Sequence, residues 1–156
     1  MSRAKIIGGL VIAGVIGALI GAYAFSGVQR RSFLAITGCK GNCLGPNEIM
    51  GLIASVGFQK TPGLVPRAVK ETDKTVVVEF QPGWFVFFPK KDIRDAAELR
   101  EDDAEYLNDI YAVMGDLIRE KGMTNWQIFT NGKDIQHITY LHFHLMDRSK
   151  TDVIPR

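Results

Sequence analysis

The spacing of hydrophobic residues changes several times along the chain, and each spacing predicts a helix or a strand. An uncharged, mostly apolar run over residues 6–25 has the length of a helix that crosses a bilayer. Helical spacing over residues 46–58, with a proline in the first turn, predicts a short amphipathic helix. A longer apolar stripe covers residues 99–122, with acids in the first turns and bases in the last. This second segment is predicted to be the main helix.

Other segments have the composition or the alternation of strands. Two of them flank a Gln81-Pro82-Gly83 turn and predict a hairpin, and a third ends in Asn131-Gly132, a dipeptide typical of hairpin turns. The predicted strands cover residues 75–80, 84–88, 126–130 and 136–146. We therefore expect an α+β domain, in which a long amphipathic helix packs on one face of an antiparallel sheet.

The last predicted strand contains all three histidines of the chain. Because side chains alternate along a strand, Tyr140, His142 and His144 should share one face. The opposite face should belong to the core and carries Thr139, Leu141, Phe143 and Leu145. Near neutral pH an imidazole can act as a nucleophile, an acid, a base or a metal ligand. A strand whose polar face happens to contain histidine would explain the same spacing.

The N-terminal run predicts a single transmembrane anchor, which places the protein in a membrane through residues 6–25. The competing interpretation is a cleaved signal peptide, with Arg3 and Lys5 before the apolar run and a small-residue site at residues 22–24. The run is longer than the usual apolar core of a signal peptide, which favours the anchor. Basic residues lie on both sides of it, so the side of the membrane that the domain faces stays undetermined.

Length and charge bound the remaining possibilities. The 156 residues suffice for one domain and a short appendage, which we divide into residues 1–26 (anchor or signal peptide), 27–45 (linker), 46–148 (domain) and 149–156 (tail). The formal charge of +2 is supplied by Arg3 and Lys5, since the other basic residues balance the 17 acids. This balance argues against a nucleic-acid partner.

Two cysteines, Cys39 and Cys43, lie in the predicted linker. They could form a small disulfide in an oxidising compartment or contribute to a metal site in a reducing one. Their spacing differs from the usual zinc patterns, and we interpret them as ordinary linker residues. No metal and no cofactor are predicted.

Residues 140–146 read Tyr-Leu-His-Phe-His-Leu-Met. This run is similar to the signature of the histidine-triad (HIT) superfamily of nucleotide-binding hydrolases and transferases, His-Φ-His-Φ-His-Φ-Φ with Φ apolar, and has tyrosine in place of the first histidine. The segment Pro-Lys-Lys-Asp-Ile at residues 89–93 also resembles a HIT segment, with Asp92 where a histidine is usual. A further histidine that relatives place near Trp84 is absent. The resemblance spans residues 65–146.

The resemblance implies attack on an α-phosphorus by His142, with His144 stabilising phosphate oxygens or the leaving group. It also implies that Tyr140 replaces the first histidine through its hydroxyl. Asn131 matches an asparagine that contacts the substrate phosphate, although a plain hairpin turn would explain it equally well. His137 matches a serine that contacts phosphate. HIT proteins are commonly homodimers, and rows of glycine and alanine in the N-terminal run would allow two such helices to pair.

The substitutions leave two other hypotheses open. A nucleotide-binding module that keeps the fold without catalysis would account for the changes at Tyr140, Trp84 and Asp92. A membrane-anchored metal-binding protein would use His142 and His144, but the sequence offers no evident third ligand.

Overall fold

The computed structural model describes residues 3–25, 45–132 and 135–150. Three helices and five strands lie in these ranges, and short 3-10 turns precede the first strand and the third helix. The helices are α1 (Arg3–Phe25), α2 (Pro46–Lys60) and α3 (Ala104–Lys121). The strands are β1 (Ala68–Glu71), β2 (Thr75–Gln81), β3 (Trp84–Pro89), β4 (Trp126–Thr130) and β5 (Phe143–Asp147).

The five strands form one antiparallel sheet in the order β1-β2-β3-β5-β4. The predicted α+β architecture is confirmed. Strand β5 returns to lie between β3 and β4, so it has a neighbour on both sides. Two neighbouring strands therefore hold the backbone of β5, so that its side chains, including that of His144, have fixed positions.

The predicted hairpin of β2 and β3 is also confirmed. Gly83 in its turn has a φ of 79°, a backbone conformation that glycine adopts without steric cost. A Cβ at this position would lie 3.2 Å from the Cβ of Lys150 and 3.3 Å from that of Asp147. The backbone N–H of Asp147 donates to the carbonyl of Gly83 at 2.7 Å. Glycine thus lets the end of β5 approach the turn closely.

Helix α3 covers one face of the sheet with its apolar stripe. It begins at Ala104 instead of residue 99, because two 3-10 turns occupy Ala96–Glu98 and Glu101–Asp103. It ends, as predicted, at Gly122, whose φ of 60° forms a left-handed cap. The core on this face contains, among others, Ile110, Val113, Met114 and Leu117 of α3 with Val77, Phe85, Phe87, Leu141, Phe143 and Leu145.

Helix α2 covers part of the opposite face. Phe58 holds this helix against the sheet. The ring of Phe58 stacks on Phe88 with centroids 4.2 Å apart and meets the ring of Tyr140 edge-on at 5.5 Å. A second core cluster forms here from Phe58, Val76, Val86, Phe88 and Tyr140. The face that carries Tyr140, His142 and His144, the histidine face, is therefore partly covered by α2.

The prediction of a strand over residues 136–146 was wrong in its first part. Only Phe143–Asp147 is strand, and the connection from β4 spans residues 131–142 instead of a two-residue hairpin turn. The N–H of Thr139 donates to the carbonyl of Asn47, and that of Leu141 donates to the carbonyl of Ile93. Because these backbone groups bond to distant segments, they are unavailable for a sheet ladder.

Helix α1 contains an 18-residue window, Ile6–Tyr23, with a mean hydropathy of 2.3 and no buried residue. Its length and composition suffice to cross a membrane, and a signal sequence would have the same properties. It is the single such helix within the described ranges. Cys39, Cys43 and most of the predicted linker lie outside the described residues.

Candidate active site

His142 lies immediately before β5 and is oriented by its own backbone. Its Nδ1 lies 2.7 Å from the carbonyl oxygen of Tyr140. A carbonyl oxygen only accepts, so Nδ1 carries the proton in this contact and Nε2 of the neutral ring carries a lone pair. None of the described groups is hydrogen-bonded to Nε2. Nε2 of His142 is therefore unprotonated and has no hydrogen-bond partner among the described residues.

The environment of His142 favours the neutral imidazole. The side chain is buried, with the residue 7% exposed, and the ring of Phe88 lies 5.6 Å away. Burial lowers the pKa of His142 below its ordinary value, the hydrogen bond to Tyr140 opposes this, and the charge of His137 lowers it further. An imidazole that stays neutral near pH 7 retains the nucleophilic lone pair.

His144 lies on the same face, with its ring centroid 4.9 Å from that of His142. Two aromatic side chains hold it. The indole Nε1–H of Trp84 donates to Nδ1 of His144 at 3.0 Å, and the ring of Phe129 stacks on the imidazole at 4.5 Å. Burial, followed by the charge of His142, lowers the pKa of His144 to about 3.

Tyr140 is fully buried beside these histidines. Its hydroxyl donates to the carbonyl oxygen of Pro89 at 2.6 Å, and its own carbonyl oxygen accepts from His142. The sequence suggested that the hydroxyl replaces a histidine at the substrate. In the fold the hydroxyl is bonded to the end of β3, and the backbone of Tyr140 is the part that contacts the candidate nucleophile.

Asn131 lies one residue beyond the Thr130–Phe143 pair of the β4–β5 ladder, level with His142. Its backbone carbonyl accepts from Nε2 of Gln136 at 3.0 Å. His137 is exposed and is close enough to His142 to affect its pKa. Asn131 and His137 thus lie near His142.

Gln136 is a buried polar residue bonded to Asn131, and the sequence did not single it out. The residue is buried, and its Oε1 has no hydrogen-bond partner among the described residues. Nδ2 of Asn47 in α2 donates to the backbone carbonyl of Gln136 at 3.2 Å. A glutamine in a predicted strand is expected to face solvent, so only the irregular path of residues 135–142 could reveal its burial.

The described ranges contain no group of three or more histidine, cysteine, aspartate or glutamate residues placed to hold a metal ion. Nδ1 of each buried histidine is already bonded within the fold, to Tyr140 or to Trp84. Each ring could offer only Nε2 to a metal ion, so the two histidines supply at most two ligands, fewer than the three or four protein ligands of a zinc site.

Solved structures with the same fold include three bacterial proteins. A HIT family hydrolase from Clostridium thermocellum superposes with a TM-score of 0.54 at 20% identity, covering 67% of this chain and 94% of that one. A histidine triad protein from Clostridium difficile gives 0.52 at 23% identity, covering 64% and 92%. A HIT family hydrolase from Legionella pneumophila gives 0.51 at 23%, covering 57% and 88%. The fold is therefore that of the HIT superfamily.

The sequence assigns the chain to a narrower group than the fold does. The family described as scavenger mRNA decapping enzyme C-term binding matches residues 68–152, which is more than half of the chain. This protein belongs to that family. No curated protein matches the chain significantly.

Proposed function

We propose that this protein is a HIT-type nucleotide hydrolase or nucleotidyl transferase that acts at an α-phosphorus through His142. The observation that carries the proposal is the 2.7 Å contact of Nδ1 of His142 with the carbonyl of Tyr140. It fixes the tautomer in which Nε2 is unprotonated, and this is the state a nucleophilic histidine needs. The HIT fold supports a nucleotide as the ligand.

In the proposed reaction, the lone pair on Nε2 of His142 forms a bond to the α-phosphorus. The bond from phosphorus to the leaving group breaks, and the leaving group departs with the electron pair. Water or another acceptor then attacks the phosphorus, and the bond from phosphorus to Nε2 breaks, which releases the nucleotide and restores the lone pair on Nε2. The proton that the attacking group loses to solvent balances the proton that the departed leaving group takes up. The carbonyl of Tyr140 stabilises the positive charge on the ring of the intermediate, because it accepts from Nδ1 throughout.

The surrounding residues would bind the phosphate. His144 would face the phosphate oxygens or the leaving group, and Asn131 and His137 would contact the phosphate from the β4–β5 connection. Gln136, with its buried and unpartnered Oε1, would accept a hydrogen bond from the substrate. Tyr140 would contribute through its carbonyl.

We also propose that the catalytic domain is held at a membrane by α1 and that two copies associate. The apolar window Ile6–Tyr23 supports the anchor. Small residues at every fourth position in α1, Gly9, Ala13, Gly17 and Gly21, support helix pairing. The domain would cover residues 46–148, joined by a linker at 27–45 and followed by a tail at 149–156. Cross-linking in mild detergent should yield dimers; monomers alone would contradict the pairing.

A second candidate function is a nucleotide-binding module without turnover. The burial of both imidazoles favours it, since His142 and His144 are 7% and 8% exposed. The rings of Phe88 and His144 pack against His142, with centroids 5.6 and 4.9 Å away. In this function the histidines would bind the nucleotide without attacking it.

One experiment separates the two functions. The full chain in detergent is incubated with a fluorogenic adenosine phosphoramidate or a dinucleotide polyphosphate, and samples quenched in alkaline denaturant, which preserves a phosphorus–nitrogen bond, are analysed by mass spectrometry. A nucleotide hydrolase should release AMP and form a nucleotidyl adduct on His142. His142→Asn should abolish both while AMP still raises the melting temperature.

The hydrolase, the binding module and the failure of both give different results in this experiment. Turnover that survives in His142→Asn would remove His142 as the nucleophile. Thermal stabilisation by AMP without turnover or adduct in the wild type would select the binding module. The absence of any shift with a panel of nucleotides would contradict both.

A further inference from the structure

The contact between Trp84 and His144 restricts where the proton of this histidine can lie. The indole Nε1 lies 3.0 Å from Nδ1 of His144. An indole nitrogen has a proton and no accessible lone pair, so it can only donate. Nδ1 of His144 must therefore supply a lone pair.

The same ring carries only one proton. Its pKa of about 3, caused first by burial and then by the charge of His142, makes the imidazole neutral over the ordinary pH range. Among the described residues, His142 is the only charged or titratable group that contributes to this value. The flanking strands contribute Trp84 from β3 and Phe129 from β4. The single proton thus lies on Nε2.

This Nε2–H has no hydrogen-bond partner among the described residues, although the atom is buried and His144 is only 8% exposed. Leaving a buried donor without an acceptor costs about 1–3 kcal/mol. An unpaired donor beside the candidate nucleophile is explained if a ligand supplies the acceptor.

We propose that Trp84 is a positioning residue: its indole N–H holds His144 in the Nε2–H tautomer, and this buried N–H donates to an anionic oxygen of the bound ligand. The identification of that oxygen as a phosphate oxygen rests on the proposed function. The two histidines then act in opposite ways. His142 presents a lone pair at Nε2, and His144 presents a proton.

The arrangement makes His144 a hydrogen-bond donor that neither gains nor loses a proton during binding. Its neutral N–H would meet the phosphate over a wide pH range. A histidine with an ordinary pKa would change charge near neutrality and alter the affinity for an anion. A histidine in place of Trp84 would not enforce this state, because it could either donate or accept.

The test uses the full chain in detergent micelles, labelled with ¹⁵N-histidine. Long-range ¹H–¹⁵N spectra report which ring nitrogen carries the proton. Between about pH 5.5 and about pH 8, His144 should keep a protonated Nε2 and an unprotonated Nδ1. Addition of AMP should shift the Nε2–H proton downfield, as expected for a new bond to an anionic oxygen.

Two variants at Trp84 form a matched pair. Glutamine and glutamate reach from Cα to their terminal atoms through as many bonds as tryptophan does to Nε1. Trp84→Gln offers an N–H donor together with an acceptor oxygen, so it permits the Nε2–H tautomer without enforcing it. Trp84→Glu offers only an acceptor, so it should move the proton to Nδ1 and raise the pKa of His144. Trp126→Phe on the edge strand β4 should leave the spectrum of His144 unchanged.

A wild-type His144 with its proton on Nδ1, or one that titrates like a free imidazole, would overturn the proposal without requiring any variant to fold. A Trp84→Glu variant that keeps the proton of His144 on Nε2 would overturn it as well. Binding of AMP without a shift of the Nε2–H resonance would also overturn the proposal. Failure of the proposed function shows separately, as absent turnover and absent nucleotide binding, whereas the tautomer is measured without any ligand.

Discussion

The hydroxyl of Tyr140 donates to the carbonyl oxygen of Pro89 at 2.6 Å, across a buried contact between the histidine segment and the end of β3. In the sequence resemblance Tyr140 corresponds to the first histidine of the HIT signature, and in the fold its hydroxyl is bonded to the end of β3. The carbonyl of the same residue holds Nδ1 of His142. Tyr140 therefore ties the candidate nucleophile to the sheet.

Tyr140→Phe should lower stability more than it affects chemistry. The change leaves the buried carbonyl of Pro89 without this donor, at a cost of about 1–3 kcal/mol. Urea unfolding should show the loss, while kcat for nucleotide hydrolysis should stay within about threefold. A hundredfold fall in kcat with unchanged stability would assign the hydroxyl to the substrate instead.

The pH dependence of hydrolysis should report His142. Burial lowers its pKa, and the ring attacks only when neutral, so protonation at low pH removes activity. The value of kcat/KM should therefore be level through neutral pH and fall only below the ordinary pKa of 6.5. An acid limb centred at or above that value would show that the ring is not desolvated as described.

Stability should depend on pH through His144. Its pKa is about 3 in the folded protein, against the ordinary histidine value of 6.5 that applies to the unfolded chain. Between these values the unfolded chain binds a proton that the fold excludes. The free energy of unfolding should therefore fall with decreasing pH, by at most about 1.4 kcal/mol per pH unit.

The comparison is between the wild type and His144→Gln in urea at about pH 7 and about pH 5. Groups other than His144 are common to both proteins. The wild type should lose about 1–2 kcal/mol more than the variant over this interval. Equal losses would mean that His144 is protonated in the folded protein.

Phe58→Ala should detach α2 from the histidine face. Removing a buried phenylalanine costs about 3–5 kcal/mol, and this ring is the one that stacks on Phe88 at 4.2 Å. Ile53→Ala on the same helix is the control: its side chain is 58% exposed, so its cost should stay within about 0.5 kcal/mol. Similar unfolding midpoints for the two variants would show that α2 does not stabilise the domain.

The anchor can be tested in cells. The full chain should remain in the membrane pellet after extraction with alkaline carbonate, because the window Ile6–Tyr23 is apolar throughout. Replacing Ile12 and Ile16 by aspartate should release the protein into the soluble fraction. A mature protein that begins near residue 25 and is soluble would support the signal-peptide interpretation.

Several parts of the fold follow from local sequence alone. The apolar stripe of α3 and its cap at Gly122 depend on spacing and on the ability of glycine to adopt a positive φ. The hairpin of β2 and β3 depends on a proline-glycine turn between two runs of β-formers. The grouping of His142 with His144 depends on alternation, which persists across the start of β5. These are interactions between residues near one another in the chain.

Other features required the tertiary structure. The irregular path before His142 exists because distant carbonyls, those of Asn47 and Ile93, accept its backbone N–H groups. The opposite tautomers of the two histidines depend on the carbonyl of Tyr140 and on Trp84, which approaches His144 only once β3 pairs with β5. Periodicity determined which face each imidazole occupies. Only contacts between remote segments decided which nitrogen of each ring carries the proton, because a histidine has two sites and its neighbours select one.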